Sequence, residues 1–130
     1  MLNAEPVLIV CEEGPTRNLI DTTVRRRSPQ TVCCSTLAEA KTLLARRSFS
    51  VMFCRDRLPD GDFRDAVNAA KPVPSVVLSH LAEWEPCLAA LRAGAFDYLS
   101  CPPAYGEVER ILGLALRESS QARMTASATA

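Results

Sequence analysis

Four short stretches hold the residues able to do chemistry, and each begins where an apolar run stops. Cys11-Glu12-Glu13 follows Val7–Val10. Cys54-Arg55-Asp56 closes the run that starts at Ser50. Ser79-His80 follows Ser75–Leu78, and Ser100-Cys101-Pro102 follows Phe96–Leu99. Acids delivered to the carboxyl end of a buried strand usually build a cation or phosphate site. Here they are mixed with an arginine and with thiols, which suit a hard cation poorly. The residues therefore pose a question: a working site, a damaged one, or a different site in the same place.

The elements that position these stretches are legible. The runs Val7–Val10, Thr31–Cys34, Ser50–Cys54, Ser75–Leu78 and Phe96–Leu99 are nearly continuous in apolar character, as expected of parallel strands covered on both faces. Helical patterns separate them. Pro15 suits a first helical position, with Leu19, Ile20 and Val24 on one face. Thr36 and Glu39 read as a capping box ahead of Leu37, Ala40 and Leu44. Phe63, Ala66 and Val67 form the apolar side of a short helix after Asp62. Trp84, Leu88 and Leu91 share a face that Gly94 ends. Val108, Ile111, Leu112 and Ala115 form the core face of a last helix. Residues 1–119 make one domain, and residues 120–130 lose periodicity and read as a flexible tail. Alternating β and α units predict an α/β, doubly wound (βα)5 domain. Ligand chemistry then belongs at the carboxyl ends of the strands.

Composition narrows the functions further. The chain has 130 residues, with 15 basic and 15 acidic side chains and no net charge. That balance argues against nucleic acid or an anionic membrane as partner. No apolar run is long enough to span a bilayer, and the start lacks a secretion signal, so the expected location is cytoplasmic. Six cysteines show neither C-x-x-C nor zinc spacing, and read mostly as small buried hydrophobes. Arg25–Arg27 and Arg46–Arg47 fall at predicted helix ends, where cations suit the helix dipole.

With those elements in place the sequence resembles the response-regulator receiver domain of bacterial two-component signalling. "VLIVCEE" looks like its first strand and acid pair, and "SVMFCRDRLPDGD" like its third strand and phosphoacceptor loop. "PSVVLSH" looks like its fourth strand with the switch hydroxyl. "LRAGAFDYLSCPP" looks like its fifth-strand region. The resemblance runs from about residue 6 to about residue 117. It implies a flavodoxin-like five-stranded parallel sheet in strand order 2-1-3-4-5. It also implies self-phosphorylation on an aspartate, with Mg²⁺ held by acids and a lysine beside the phosphoryl oxygens.

Carried over residue by residue, the pattern breaks. The acid pair falls on Cys11 and Glu12. The acceptor, four residues before the loop proline Pro59, falls on Arg55. The hydroxyl position falls on Ser79, the switch aromatic on Tyr98, and the lysine on Cys101. Arginine cannot form an acyl phosphate, so the resemblance is to a degenerate pseudo-receiver. In that pocket Arg55 is expected to pair with Glu12, and also Glu13, in fork geometry. Mg²⁺ is expected to be absent. Asp56, one residue along the strand, is the less favoured acceptor, because a one-residue step turns it to the other face. Asp60 and Asp62 read as turn and helix-cap residues.

The expected function is a non-enzymatic, receiver-like signalling module that is not phosphorylated and acts by protein–protein interaction. A histidine kinase or another regulator is the expected partner. The resemblance implies a docking or homodimer face from the fourth helix, fifth strand and fifth helix, with Tyr98, Tyr105 and an exposed Leu114. Two alternatives stand beside it. One is a thiol-based redox or soft-metal sensor using Cys11 and Cys101, with Arg55 lowering a thiol pKa and Glu12 or His80 completing a metal set. The other is a conventional phospho-receiver using Asp56.

Overall fold

A computed structural model of the chain describes residues 5–27, 30–79, 89 and 91–129. The strands are β1 (Val7–Val10), β2 (Thr31–Cys34), β3 (Val51–Arg55), β4 (Arg57–Leu58), β5 (Gly61–Asp62), β6 (Ser75–Ser79) and β7 (Asp97–Ser100). The helices among the described residues are α1 (Pro15–Arg25), α2 (Leu37–Arg46), α3 (Phe63–Ala70) and α4 (Tyr105–Thr129). Five strands form one parallel sheet in the order β2-β1-β3-β6-β7. This is the flavodoxin-like arrangement the sequence predicts.

Burial explains why the runs are continuous rather than alternating. Val7, Ile9, Val51, Phe53, Val76 and Leu78 face one layer, packed with Ile20 and Val24 of α1 and Val108, Ile111, Leu112 and Ala115 of α4. Leu8, Val10, Met52 and Cys54 face the other layer, against Leu37 and Ala40 of α2 and Ala66 and Ala70 of α3. Each residue of these inner strands finds apolar cover on its own side, so neither face needs polar residues there. Cys33 and Cys34 divide between the two layers, as neighbours on a strand must.

Two features differ from the sequence reading. Arg57–Leu58 and Gly61–Asp62 pair as a small antiparallel hairpin inside the β3–α3 loop. The expected irregular tail after residue 119 is helical in backbone, because α4 runs to Thr129. Glu118, Gln121, Ala122, Arg123 and Met124 are strong helix formers, and a packed turn around Leu112 and Ala115 has already met the cost of nucleation. Leu114 is 40% exposed, as its place off the core stripe predicts. His80, Trp84, Cys87 and Leu88 lie outside the described residues. Among the described residues no helix is long and apolar enough to cross a membrane.

Candidate functional site

The parallel sheet brings the ends of β1, β3, β6 and β7 together, and backbone bonds extend the order just past each strand. The Cys11 amide donates to Cys34 O at 2.9 Å, and the Cys101 amide to Ser79 O at 2.7 Å. The Asp56 amide donates to Leu78 O at 2.8 Å. Glu12, Arg55, Asp56 and Ser79 meet above these bonds.

Arg55 is the centre. Its side chain is only 17% exposed, and one terminal nitrogen donates to Glu12 Oε1 at 2.7 Å. Its Nε lies 3.8 Å from Asp56 Oδ1, an ion pair too long to be a hydrogen bond, and this buried Nε has no hydrogen-bond acceptor. The expected two-pronged fork on Glu12 and Glu13 is therefore not formed. The guanidinium divides between Glu12 and Asp56, while Glu13 lies 3.7 Å from Arg17, one helical turn along. Arg17 belongs to the charge balance and was not anticipated, although the i, i+4 spacing with Glu13 was available as a signal.

Asp56 corrects a second expectation. It does not turn away from the pocket: Ser79 Oγ donates to Asp56 Oδ2 at 2.9 Å. The strand ends at Arg55, and Asp56 already lies in a bend. Strict alternation stops where the ladder stops, so consecutive side chains both reach the site. Asp56 O also accepts from the Phe63 amide at 3.1 Å, which closes the loop over the residue.

The thiols behave as buried hydrophobes. Burial pushes the Cys11 thiol up to about 12, helped by its hydrogen bond to Glu12 and by that carboxylate's charge. Arg55 pulls the other way and loses. Burial likewise raises Cys101. The expectation that Arg55 activates a thiol thus fails in sign. Burial alone would raise the Glu12 carboxyl, but the Cys11 Sγ donor at 3.2 Å and the Arg55 charge outweigh it and hold Glu12 below its usual range. Among the described residues no three of His, Cys, Asp and Glu converge as a metal-holding group. Tyr98 is half-buried against the cluster of Phe63, Val67, Val77 and Ala95, on the α3 side of the sheet.

No family model matches the sequence. The chain is 31% identical over 120 residues to the response regulator PilR of Pseudomonas aeruginosa, covering 89% of this chain and 27% of that protein. It is 34% identical over 117 residues to the KDP operon transcriptional regulatory protein KdpE of Escherichia coli, covering 88% and 52%. A CheY-like response-regulator receiver domain protein from Methanospirillum hungatei superposes with a TM-score of 0.80 at 17% identity, covering 92% of this chain and 98% of that one. The chain has the receiver fold, and its relatives are response regulators. NtrX from Brucella abortus, at TM-score 0.84 and 21% identity, contains the same fold within 30% of its chain, matched over 95% of this one. The chain thus spans about a quarter to a half of the length of its curated relatives. Within this receiver fold, Glu12, Arg55, Asp56 and Ser79 share one site, and Cys11 forms part of its floor.

Proposed function

We propose that the chain is a receiver-type signalling module that works by protein–protein contact and takes up no phosphoryl group at the Arg55 position. The carrying observation is the 2.7 Å contact between Arg55 and Glu12 Oε1. A guanidinium stands there as a built-in cation. The residues do not fit Mg²⁺: a thiol and an arginine replace two oxygen ligands, and the ion would meet the guanidinium charge. No enzymatic turnover is part of this function. The partners are signalling proteins, such as a histidine kinase or a second regulator, in the cytoplasm. The proposed docking or homodimer face carries Leu91 and Leu114, each about 40% exposed; Tyr105 lies on the other side of α4, where its hydroxyl accepts from Arg26 at 2.7 Å.

A conventional phospho-receiver using Asp56 is the second function, favoured by one observation: its carboxylate lies on Ser79 inside the site. Phosphoryl transfer to it would break that hydrogen bond and place more negative charge beside Glu12. The thiol sensor is disfavoured by the raised Cys11 and Cys101 pKa values. Incubation with acetyl phosphate and Mg²⁺, followed by intact-mass and peptide mass spectrometry, separates the two phosphoryl cases. An unmodified chain supports the proposal, and a phosphoryl group on Asp56 refutes it.

A further inference from the structure

β3 ends at Arg55, so strand alternation no longer sets the direction of Asp56, and the anchoring of its loop contributes. The start of the loop is fixed by the two backbone bonds of Asp56 to Leu78 and Phe63. Its tip is fixed elsewhere. Asp60 Oδ1 accepts from the Leu37 amide at 2.7 Å and Oδ2 from the Ala38 amide at 3.0 Å, both at the start of α2. Gly61 sits so close to α2 that a Cβ there would lie 2.6 Å from Leu37 Cδ2. Leu37 is 6% exposed, so that methyl has little room to retreat. Asp62 then caps α3 by accepting from the Arg64 amide at 2.9 Å.

The helix does not need Asp60 to begin. It carries its own cap, with Thr36 Oγ1 accepting from the Glu39 amide at 3.1 Å, and Glu39 reaches back to accept from the Ser35 amide, one residue before the cap, at 3.3 Å. Asp60 supplies the two remaining first-turn amides from a distant part of the chain. Its carboxylate therefore serves the loop as well as the helix. We infer that Asp60 is a positioning residue, which clamps the loop tip onto α2 and so holds Asp56 against Ser79. The β3–α3 loop is then a strap between α2 and the end of β6, and displacement at the α2 end releases the Asp56–Ser79 contact. The inference concerns the site of the proposed function but does not depend on its lack of phosphoryl chemistry. Phosphate found on Asp56 would overturn that function and leave the strap standing.

The test compares loss of the strap with loss of the helix's own cap, using the whole chain. Amide hydrogen exchange and ¹H–¹⁵N spectra are recorded for wild type, Asp60→Ala, Gly61→Ala, Thr36→Ala and Asp56→Ala. Asp60→Ala and Gly61→Ala are each expected to speed exchange of the Asp56 amide roughly tenfold, as for a local opening. Both move the Ser79 amide resonance toward its position in Asp56→Ala. Thr36→Ala lowers global stability and leaves both signals in place. In an Asp56→Ala background, Asp60→Ala has no further effect on Ser79. If Asp60→Ala instead behaves like Thr36→Ala, or still shifts Ser79 once Asp56 is absent, Asp60 is only a helix cap and the inference fails.

Discussion

Replacing Arg55 by aspartate tests whether the guanidinium takes the place of a metal ion. In wild type, the Arg55–Glu12 contact joins a mostly buried cation to a side chain that is 62% exposed. At about 4 Å between charges, Coulomb's law gives roughly 1 kcal/mol in water and about 4 kcal/mol at the effective dielectric of a protein surface. The exposure of Glu12 favours the lower figure, so the pair contributes about 1 kcal/mol. Arg55→Asp removes it and adds a like-charge repulsion of similar size against Glu12 and Asp56, together about 2 kcal/mol. For a 130-residue chain, the unfolding entropy per residue converts this to a fall in Tm of about 7 °C. Three carboxylates now face one site, and weak carboxylate sites bind divalent ions with Kd on the order of 1 mM. About 10 mM Mg²⁺ would then restore roughly 1.4 kcal/mol, or about 5 °C. The assay is calorimetric Tm with MgCl₂ against NaCl at matched ionic strength. Wild type is expected to move by less than about 1 °C. A Mg²⁺-dependent rise of several degrees in wild type, or a variant that is both undamaged and unresponsive, would refute the reasoning.

The remaining predictions concern charge, thiol and core. The folded-state pKa of Glu12 is depressed, so its contribution to stability is present above the ordinary value of 4.5 and disappears as pH falls through the lower folded value. Glu12→Gln should therefore flatten the acid limb of a urea-midpoint-against-pH curve; because Asp60 and Glu39 are also depressed, some slope remains. An acid limb identical to wild type would count against the pairing. Cys11, fully buried with its pKa pushed up to about 12, should react with a disulfide reagent at pH 8 only through opening of the chain. Its labelling rate should then rise with denaturant; immediate labelling in buffer would contradict its placement. Phe53→Ala, at a side chain with no exposure between β1 and β6, should cost about 3–5 kcal/mol in urea unfolding. A loss under about 1 kcal/mol would mean that Phe53 is not in the core.

The sheet was legible because its three inner strands, β1, β3 and β6, are buried on both sides and its edges are bounded by turn-forming or polar residues. Val7–Val10 and Thr31–Cys34 were bounded to the residue, since an apolar run flanked by Pro6 and by Gln30 leaves little freedom for the ends. The shortest elements were the least legible. The hairpin of β4 and β5 has only two residues per strand, too few to show a period.

At the site, neighbours were readable and direction was not. A parallel sheet with β1 beside β3 must bring the last residue of β3 close to the residues that follow β1. The Arg55–Glu12 contact follows from topology and charge alone. Asp56 was misjudged because period-two reasoning presumes that the ladder continues, and Arg55 is its last paired residue, opposite Leu78. Beyond that point the direction of a side chain depends on where the far end of its loop is tied. That tie is Asp60 on α2, a contact between residues far apart in the chain that no local pattern encodes. The same limit applies to Glu13, which lies between the end of β1 and the start of α1: its side chain is 93% exposed and its ion pair, at 3.7 Å, is with Arg17 of α1. Once a residue leaves the sheet, a cation four residues along the chain competes with one across the pocket.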